Sequence, residues 1–259
     1  LYGCSTLKGR YDVKRVLRFI GLLVCFSFIV SCCNVKIPPI DNAQLVSQIK
    51  NEIPIDPGAV LFVAGMDMMR GDPISGSAII IESSIKESWA LSAGHVCYPE
   101  ADLHALNIED WVMLALNLHG EARPMRIVAL DLSNDVCVFK IPHGPLPFVP
   151  LAKEQMELGE RAFLGAYPGG MYEPGFVPLF EGFYSGELTA GDKKWSGYTI
   201  PVAPGSSGGG VVNENGELVG IISMAISQFE NITLAAKLEN IQNLLDVAKR
   251  NPERLTILH

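Results

Sequence analysis

Residues 203–223 read APGSSGGGVVNENGELVGIIS: two adjacent serines among four glycines, then a turn, then an apolar run. Glycines before and after a serine let the backbone curl with no Cβ atoms in the way, so that its N–H groups can converge. Taken alone, such a Gly-Ser run is an ordinary flexible loop. Its meaning depends on what the rest of the chain places beside it.

Outward from that stretch, the chain is a series of short apolar runs separated by turn residues. Its 259 residues are 48% hydrophobic, with 25 Gly and 17 Pro, enough for one large domain or two small ones with a real core. From Ala59 the runs AVLFVAG, GSAIIIE, SWALSAG, WVMLALN, MRIVAL and DVCVFKI read as strands. A second set follows: RAFLGAY, LFEGFYSGEL, SGYTIPV, GGVVN and ELVGIIS. Between the sets lies IPHGPLPFVPLAKE, with four prolines between 142 and 150. Such a segment cannot run through a central strand and reads as a connection between subdomains. In LENIQNLLDVAKR, Leu238, Ile241, Leu244, Leu245 and Ala248 recur at helical spacing. The pattern predicts an all-β protein of two six-stranded Greek-key barrels with a C-terminal helix. The first barrel would occupy residues 55–143, and the connector, second barrel and helix 144–259. Residues 34–54 read as a linker and a short helix capped by Asp41.

Residues 14–33, KRVLRFIGLLVCFSFIVSCC, differ from everything after them. Lys14, Arg15 and Arg18 precede an apolar run from Phe19 to Val30, the pattern of a secretory signal and short for a membrane span. Ile29-Val30-Ser31-Cys32 resembles a bacterial lipobox, which implies lipidation of Cys32. The alternative is a short membrane anchor that is never cleaved. Residues 1–33 are therefore read as a leader or anchor, and the body as extracytoplasmic, membrane-anchored or secreted. Beyond residue 31 the chain keeps 15 basic against 27 acidic side chains, a formal charge of −12. So acidic a body, with no basic cluster, excludes nucleic acid as a partner class.

Six cysteines and five histidines remain to be placed. There is no CxxC pair, so zinc ligation and thioredoxin chemistry find no support. Cys97 and Cys137 either pair in an oxidising compartment or serve as two small buried hydrophobes. His104, His119 and His143 lack metal-like spacing, and no metal or other cofactor is expected.

Two further stretches give the opening one its meaning. ALSAGHVC places His95 after an apolar strand and a small-residue turn, and SNDVCVFKI places Asp135 at the head of an apolar strand. Singly, these are a histidine at a strand end and an aspartate in a turn. In the order His, Asp, Ser they supply the parts of nucleophilic acyl transfer. Those parts are a hydroxyl, an imidazole to take its proton, a carboxylate to orient the imidazole, and backbone N–H groups for the oxyanion.

At these residues the chain resembles the trypsin/chymotrypsin-like serine peptidases, particularly bacterial high-temperature-requirement and glutamyl-endopeptidase members. ALSAGHV resembles their histidine block, NDVCVFKI their aspartate block and PGSSGG their Gly-x-Ser-Gly-Gly nucleophile loop. LVGIIS is similar to the strand lining their specificity pocket, and RAFLGAYPGG to the first strand and turn of their second barrel. The resemblance spans about residues 55–250. It implies His95 as general base and acid, Asp135 as its orienter, and a protein or peptide substrate. Gly205-Ser206-Ser207-Gly208-Gly209 fits the loop only with Ser207 as nucleophile, Ser206 being the variable position. The oxyanion hole would be the N–H groups of Gly205 and Ser207. Ser223 would lie beside the aspartate, and Ser223, Met224 and Ala225 would pair with bound peptide.

The departures from the family pattern bear on specificity. Pro201 stands where an acidic residue would mark preference for Arg or Lys, and Ile222 where glutamyl endopeptidases carry histidine. The expected pocket walls, Thr199–Ala203 and Ser223–Ile226, hold no charge, with Pro201 nearest the base. Ala225, at a position commonly glycine, would narrow the entrance. The expectation is a serine endopeptidase cleaving after small to medium aliphatic residues. The alternatives are a silent homologue that binds peptides without cutting them, and an esterase using the same triad. All three catalytic positions are filled, which favours activity.

Overall fold

The computed structural model of the protein describes residues 53–67, 73–98, 111–226, 229 and 231–258. The leader with Cys32, the short helix expected after Asp41, and His104 lie outside them. Six antiparallel strands make the first barrel: β1 (Val60–Asp67), β2 (Pro73–Ser83), β3 (Glu87–Ala93), β4 (Trp111–Leu116), β5 (Ala122–Asp131) and β6 (Val136–Pro142). They run in the order β5-β4-β1-β2-β3-β6, and β6 closes on β5. The second barrel is β7 (Arg161–Gly165), β8 (Leu179–Ala190), β9 (Lys193–Tyr198), β10 (Gly210–Val212), β11 (Leu218–Ala225) and β12 (Thr233–Lys237). It closes in the order β10-β11-β12-β9-β8-β7. A single helical turn, α1 (Gly94–Cys97), follows β3, and the C-terminal helix is α2 (Leu238–Arg250). The all-β, two-barrel architecture expected from the sequence is the one observed.

Two elements escaped the sequence reading. β12, TLAAK, runs straight into α2, and its Leu and Ala residues read equally well as the start of a helix. The chain then ends in β13 (Thr256–Leu258), which returns to the first barrel and pairs parallel with β5.

The apolar runs of β2, β3 and β6 do not alternate with polar residues because both of their faces are buried. Ala78, Ile80, Ala90, Cys137 and Phe139 fill the first barrel, while Ile79, Ile81, Leu91, Val136 and Val138 face a separate cluster. That cluster is the seam between the barrels, where Phe163, Tyr167, Leu218 and Ile221 of the second barrel meet Ile241, Leu244 and Leu245 of α2. A strand with period-two side chains and two apolar surroundings must be apolar throughout. The helix buries Leu238, Ile241, Leu244, Leu245 and Ala248, the five positions its spacing predicts. The Pro-rich stretch from His143 to Pro150 runs without strand or helix between β6 and β7.

Cys97 and Cys137 form a disulfide, and both are buried. Cys97 lies two residues beyond His95, and Cys137 two beyond Asp135. The bond therefore ties α1 to the head of β6. Closing a loop between residues 40 apart in sequence stabilises the fold by roughly 4 kcal/mol in the chain-entropy treatment.

Candidate active site

His95 enters the site directly from β3. Gly94 before it allows a close approach, since a Cβ there would stand 3.0 Å from Asp135 Oδ1 and 3.2 Å from Asp135 Cα. Asp135 occupies the left-handed region, φ +53°, which aspartate tolerates better than most residues. The turn that holds it there is braced from behind. Asn134 donates its backbone N–H and Nδ2 to Asp131 Oδ1 (2.9 Å) and Oδ2 (2.8 Å), and Asn240 of α2 donates to Asn134 Oδ1 (2.8 Å).

Asp135 then receives three donors. The His95 backbone N–H reaches Oδ1 at 2.8 Å, His95 Nδ1 reaches Oδ2 at 2.9 Å, and the Ser223 hydroxyl also donates to Oδ2. A carboxylate only accepts, so the His95 proton sits on Nδ1 and Nε2 keeps the lone pair of a base. The hydrogen bond and charge of Asp135 hold the His95 pKa above its usual 6.5, against the opposing effect of burial. The ring remains about half exposed, 49%. Ser223 owes its aim to a β-bulge: Ile222 pairs with Ala235 and Met224 with Leu234, leaving Ser223 as the extra residue. Bulges re-aim side chains in this way.

The serine-glycine loop consists of two successive turns. Ser206 N–H donates to Ala203 O and Gly209 N–H to Ser206 O, each at 2.9 Å. The third residue of each turn is a glycine at positive φ, Gly205 at +93° and Gly208 at +85°. With Pro204 and Ser207 at the second positions, both are type II turns, which require glycine at the third. Space forbids a side chain as well. A Cβ on Gly205 would lie 2.7 Å from Tyr167 O, and one on Gly208 would fall on Ser77 O and Ser92 Oγ.

Each peptide of this loop can be followed to its partners. Pro204 O accepts from Gly169 N–H, Gly205 O from Ser77 Oγ, Ser206 O from Gly209 N–H, and Ser207 O from Ser77 N–H. Ser206 N–H and Gly208 N–H are used, the latter on Ile222 O. Among the described residues, no acceptor takes the N–H of Gly205 or of Ser207. Two unspent donors, two residues apart on one loop, can stabilise an oxyanion. The two serines differ as their register implies. Ser206 is 1% exposed with Oγ accepting from Ala203 N–H, whereas Ser207 is partly exposed; both border a pocket.

That pocket has a volume of about 260 Å³ and is lined by Val202–Pro204, Ser206, Ser207 and Ile222–Ala225. Its lining carries no charged residue. Of the wall expected at Thr199–Ala203, Val202 and Ala203 line the pocket, while Pro201 is exposed and is not among the lining residues. Ser223, Met224 and Ala225 belong to the lining. Among the described residues no hydrogen bond joins His95 to Ser207; Asp135 holds His95 on one side and Ser223 on the other. Three participants were missed in the sequence. Ser77, Gly169 and Asn134 act through backbone atoms or through neighbours remote in sequence, and no local pattern announces them.

The sequence matches the trypsin-like peptidase domain over residues 76–221. It is 28% identical over 123 residues to a probable periplasmic serine endoprotease, DegP-like, of Chlamydia trachomatis; the match covers 46% of this chain and 25% of that relative. The fold is similar to that of the HtrA-type protease AlgW with a tripeptide, with TM-score 0.62 and 20% identity over 79% of this chain and 63% of the other. A serine endoprotease from Yersinia pestis gives TM-score 0.60 and 20% identity, over 79% and 66%. The matched domain contains His95, Asp135 and Ser207 and takes in more than half of the sequence. The chain belongs to the trypsin-like peptidase family.

Proposed function

We propose that the protein is an extracytoplasmic serine endopeptidase. Ser207 Oγ attacks the scissile carbonyl carbon while His95 Nε2 takes the hydroxyl proton. The new C–O bond forms as the carbonyl π pair moves onto oxygen, and the N–H groups of Gly205 and Ser207 receive that charge. His95 returns the proton to the departing amine, leaving an acyl-enzyme that water opens by the same steps. Asp135 keeps Nδ1 protonated throughout. The observation that carries this reading is the pair of unspent N–H groups beside Ser207. A fluorophosphonate probe tests it: the label should map to Ser207 by mass spectrometry. A folded, unlabelled protein would make this a silent, peptide-binding member of its family.

The uncharged pocket supports a preference for small to medium aliphatic side chains before the cleaved bond. A buried Arg, Lys, Asp or Glu there would lack a counter-charge, at a cost of several kcal/mol. A peptide-library digest should show cleavage mainly after Ala, Val or Leu; cleavage mainly after charged residues would sink the assignment.

The leader, with its basic flank, apolar run and Cys32, supports export and lipid anchoring, and the relative in Chlamydia trachomatis carries a periplasmic description. Metabolic labelling with a palmitate analogue should mark the protein and be lost in Cys32→Ala. Soluble protein whose N-terminus lies beyond residue 34 would mean cleavage without lipidation.

A further inference from the structure

Ser77 is a polar residue within the buried half of β2, 0% exposed. Every polar atom it has is committed. Its N–H donates to Ser207 O at 2.8 Å and its hydroxyl to Gly205 O at 2.8 Å. The same hydroxyl accepts from Tyr167 N–H at 2.8 Å, and its carbonyl accepts from Ser92 Oγ at 2.7 Å. One side chain of the first barrel thus joins two segments of the second, the nucleophile loop and Tyr167, two residues beyond β7.

The contacts fall on alternate peptides. Ser77 Oγ holds the Gly205–Ser206 peptide by its oxygen, and Ser77 N–H holds the Ser207–Gly208 peptide by its oxygen. The peptide between them carries the free N–H of Ser207, and the peptide just before them carries that of Gly205. Glycine at position 205 gives the loop a residue with wide conformational freedom, where a peptide could turn over at little steric cost. A hydrogen bond from a buried hydroxyl opposes that rotation, because turning the carbonyl away would leave the buried Ser77 O–H without its acceptor.

We propose that Ser77 is a positioning residue for the oxyanion site: its hydroxyl fixes the Gly205–Ser206 peptide and so keeps the N–H groups of Gly205 and Ser207 directed at one point. The proposal rests on the peptidase reading above. Ser77 touches no substrate atom and acts only through the loop. It therefore affects the tetrahedral species, whose oxygen needs both donors, far more than it affects peptide binding along β11.

The test compares wild-type protein with Ser77→Ala and Ser77→Cys, the second keeping nearly the size of serine with a weak donor. Each is assayed on a peptide substrate and titrated with a peptide boronic acid, which forms a tetrahedral adduct. A matched peptide amide, which cannot react, is titrated alongside. Both variants should lose about 10- to 100-fold in kcat, somewhat less than deletion of an oxyanion donor itself. Boronate affinity should fall in step, while KM and amide affinity stay within twofold. Ser88→Ala serves as the control, since Ser88 is equally buried but bonds only to Ser83 Oγ at 2.7 Å among side chains; it should keep wild-type kcat. If Ser77→Ala does not fold, Ser77→Cys decides alone. A variant that keeps kcat within threefold overturns the proposal, as does equal loss of boronate and amide binding. Wild-type protein that neither cleaves peptide nor binds boronate would instead overturn the peptidase reading.

Discussion

Ser207→Ala should abolish fluorophosphonate labelling and lower kcat by about 10⁶-fold, the scale seen when the nucleophile of such a unit is deleted. The fold should be unaffected, since among the described residues the Ser207 side chain makes no hydrogen bond. Ser206→Ala is the informative partner. Its hydroxyl accepts the Ala203 N–H within the first turn, so removing it should cost about 1 kcal/mol of stability. Its kcat should remain within a few fold of wild type. Labelling that survived in Ser207→Ala and vanished in Ser206→Ala would reverse the roles of the two serines.

Asp135→Asn should cost about 10⁴-fold in kcat, and by a different route. An amide nitrogen set against His95 would favour the tautomer with Nδ1 unprotonated. The proton would then sit on Nε2, where the base is needed. The pH profile separates this from simple loss of structure. His95 must be neutral to act as base, and the raised pKa means that neutrality is reached at higher pH than for free imidazole. In the wild type, kcat/KM should therefore rise with pH along a limb whose apparent pKa lies above 6.5. Without the carboxylate the limb should move toward lower pH. A limb unchanged in Asp135→Asn would mean that Asp135 does not set the histidine's protonation.

His95, Asp135 and Ser207 could be read from sequence because each lies against an apolar strand and carries its own local context. The glycines at 205 and 208 were legible for a related reason: a turn with positive φ leaves a residue-type signature. Position-by-position register was harder. Of the wall expected at Thr199–Ala203, Val202 and Ala203 line the pocket and the exposed Pro201 does not, because which residues of an irregular segment face a pocket leaves no mark in composition. The bulge at Ser223 is likewise invisible until β11 and β12 are paired. Ser77 shows the limit most clearly. It stands between Gly76 and Ala78 at the head of an apolar run, and its partners lie up to 130 residues away. The disulfide was one of two readings left open, since two cysteines 40 residues apart carry no sign of whether their Cα atoms approach.

The course of the last 22 residues has a thermodynamic consequence. The chain leaves the second barrel by β12, lays α2 against β5 and β6 as well as β11 and β12, and ends as β13 on the first barrel. Topology counts two barrels here, but heat should count one. Neither barrel can melt without stripping its partner's half of the seam and unwinding the end of the chain from β5. Partial unfolding therefore gains the entropy of one barrel while exposing apolar surface on both. The intermediate with one barrel intact is the unfavourable state, and the two rise and fall as a single cooperative unit. The proposed base and nucleophile, divided between two barrels, are thereby either in place together or not assembled at all.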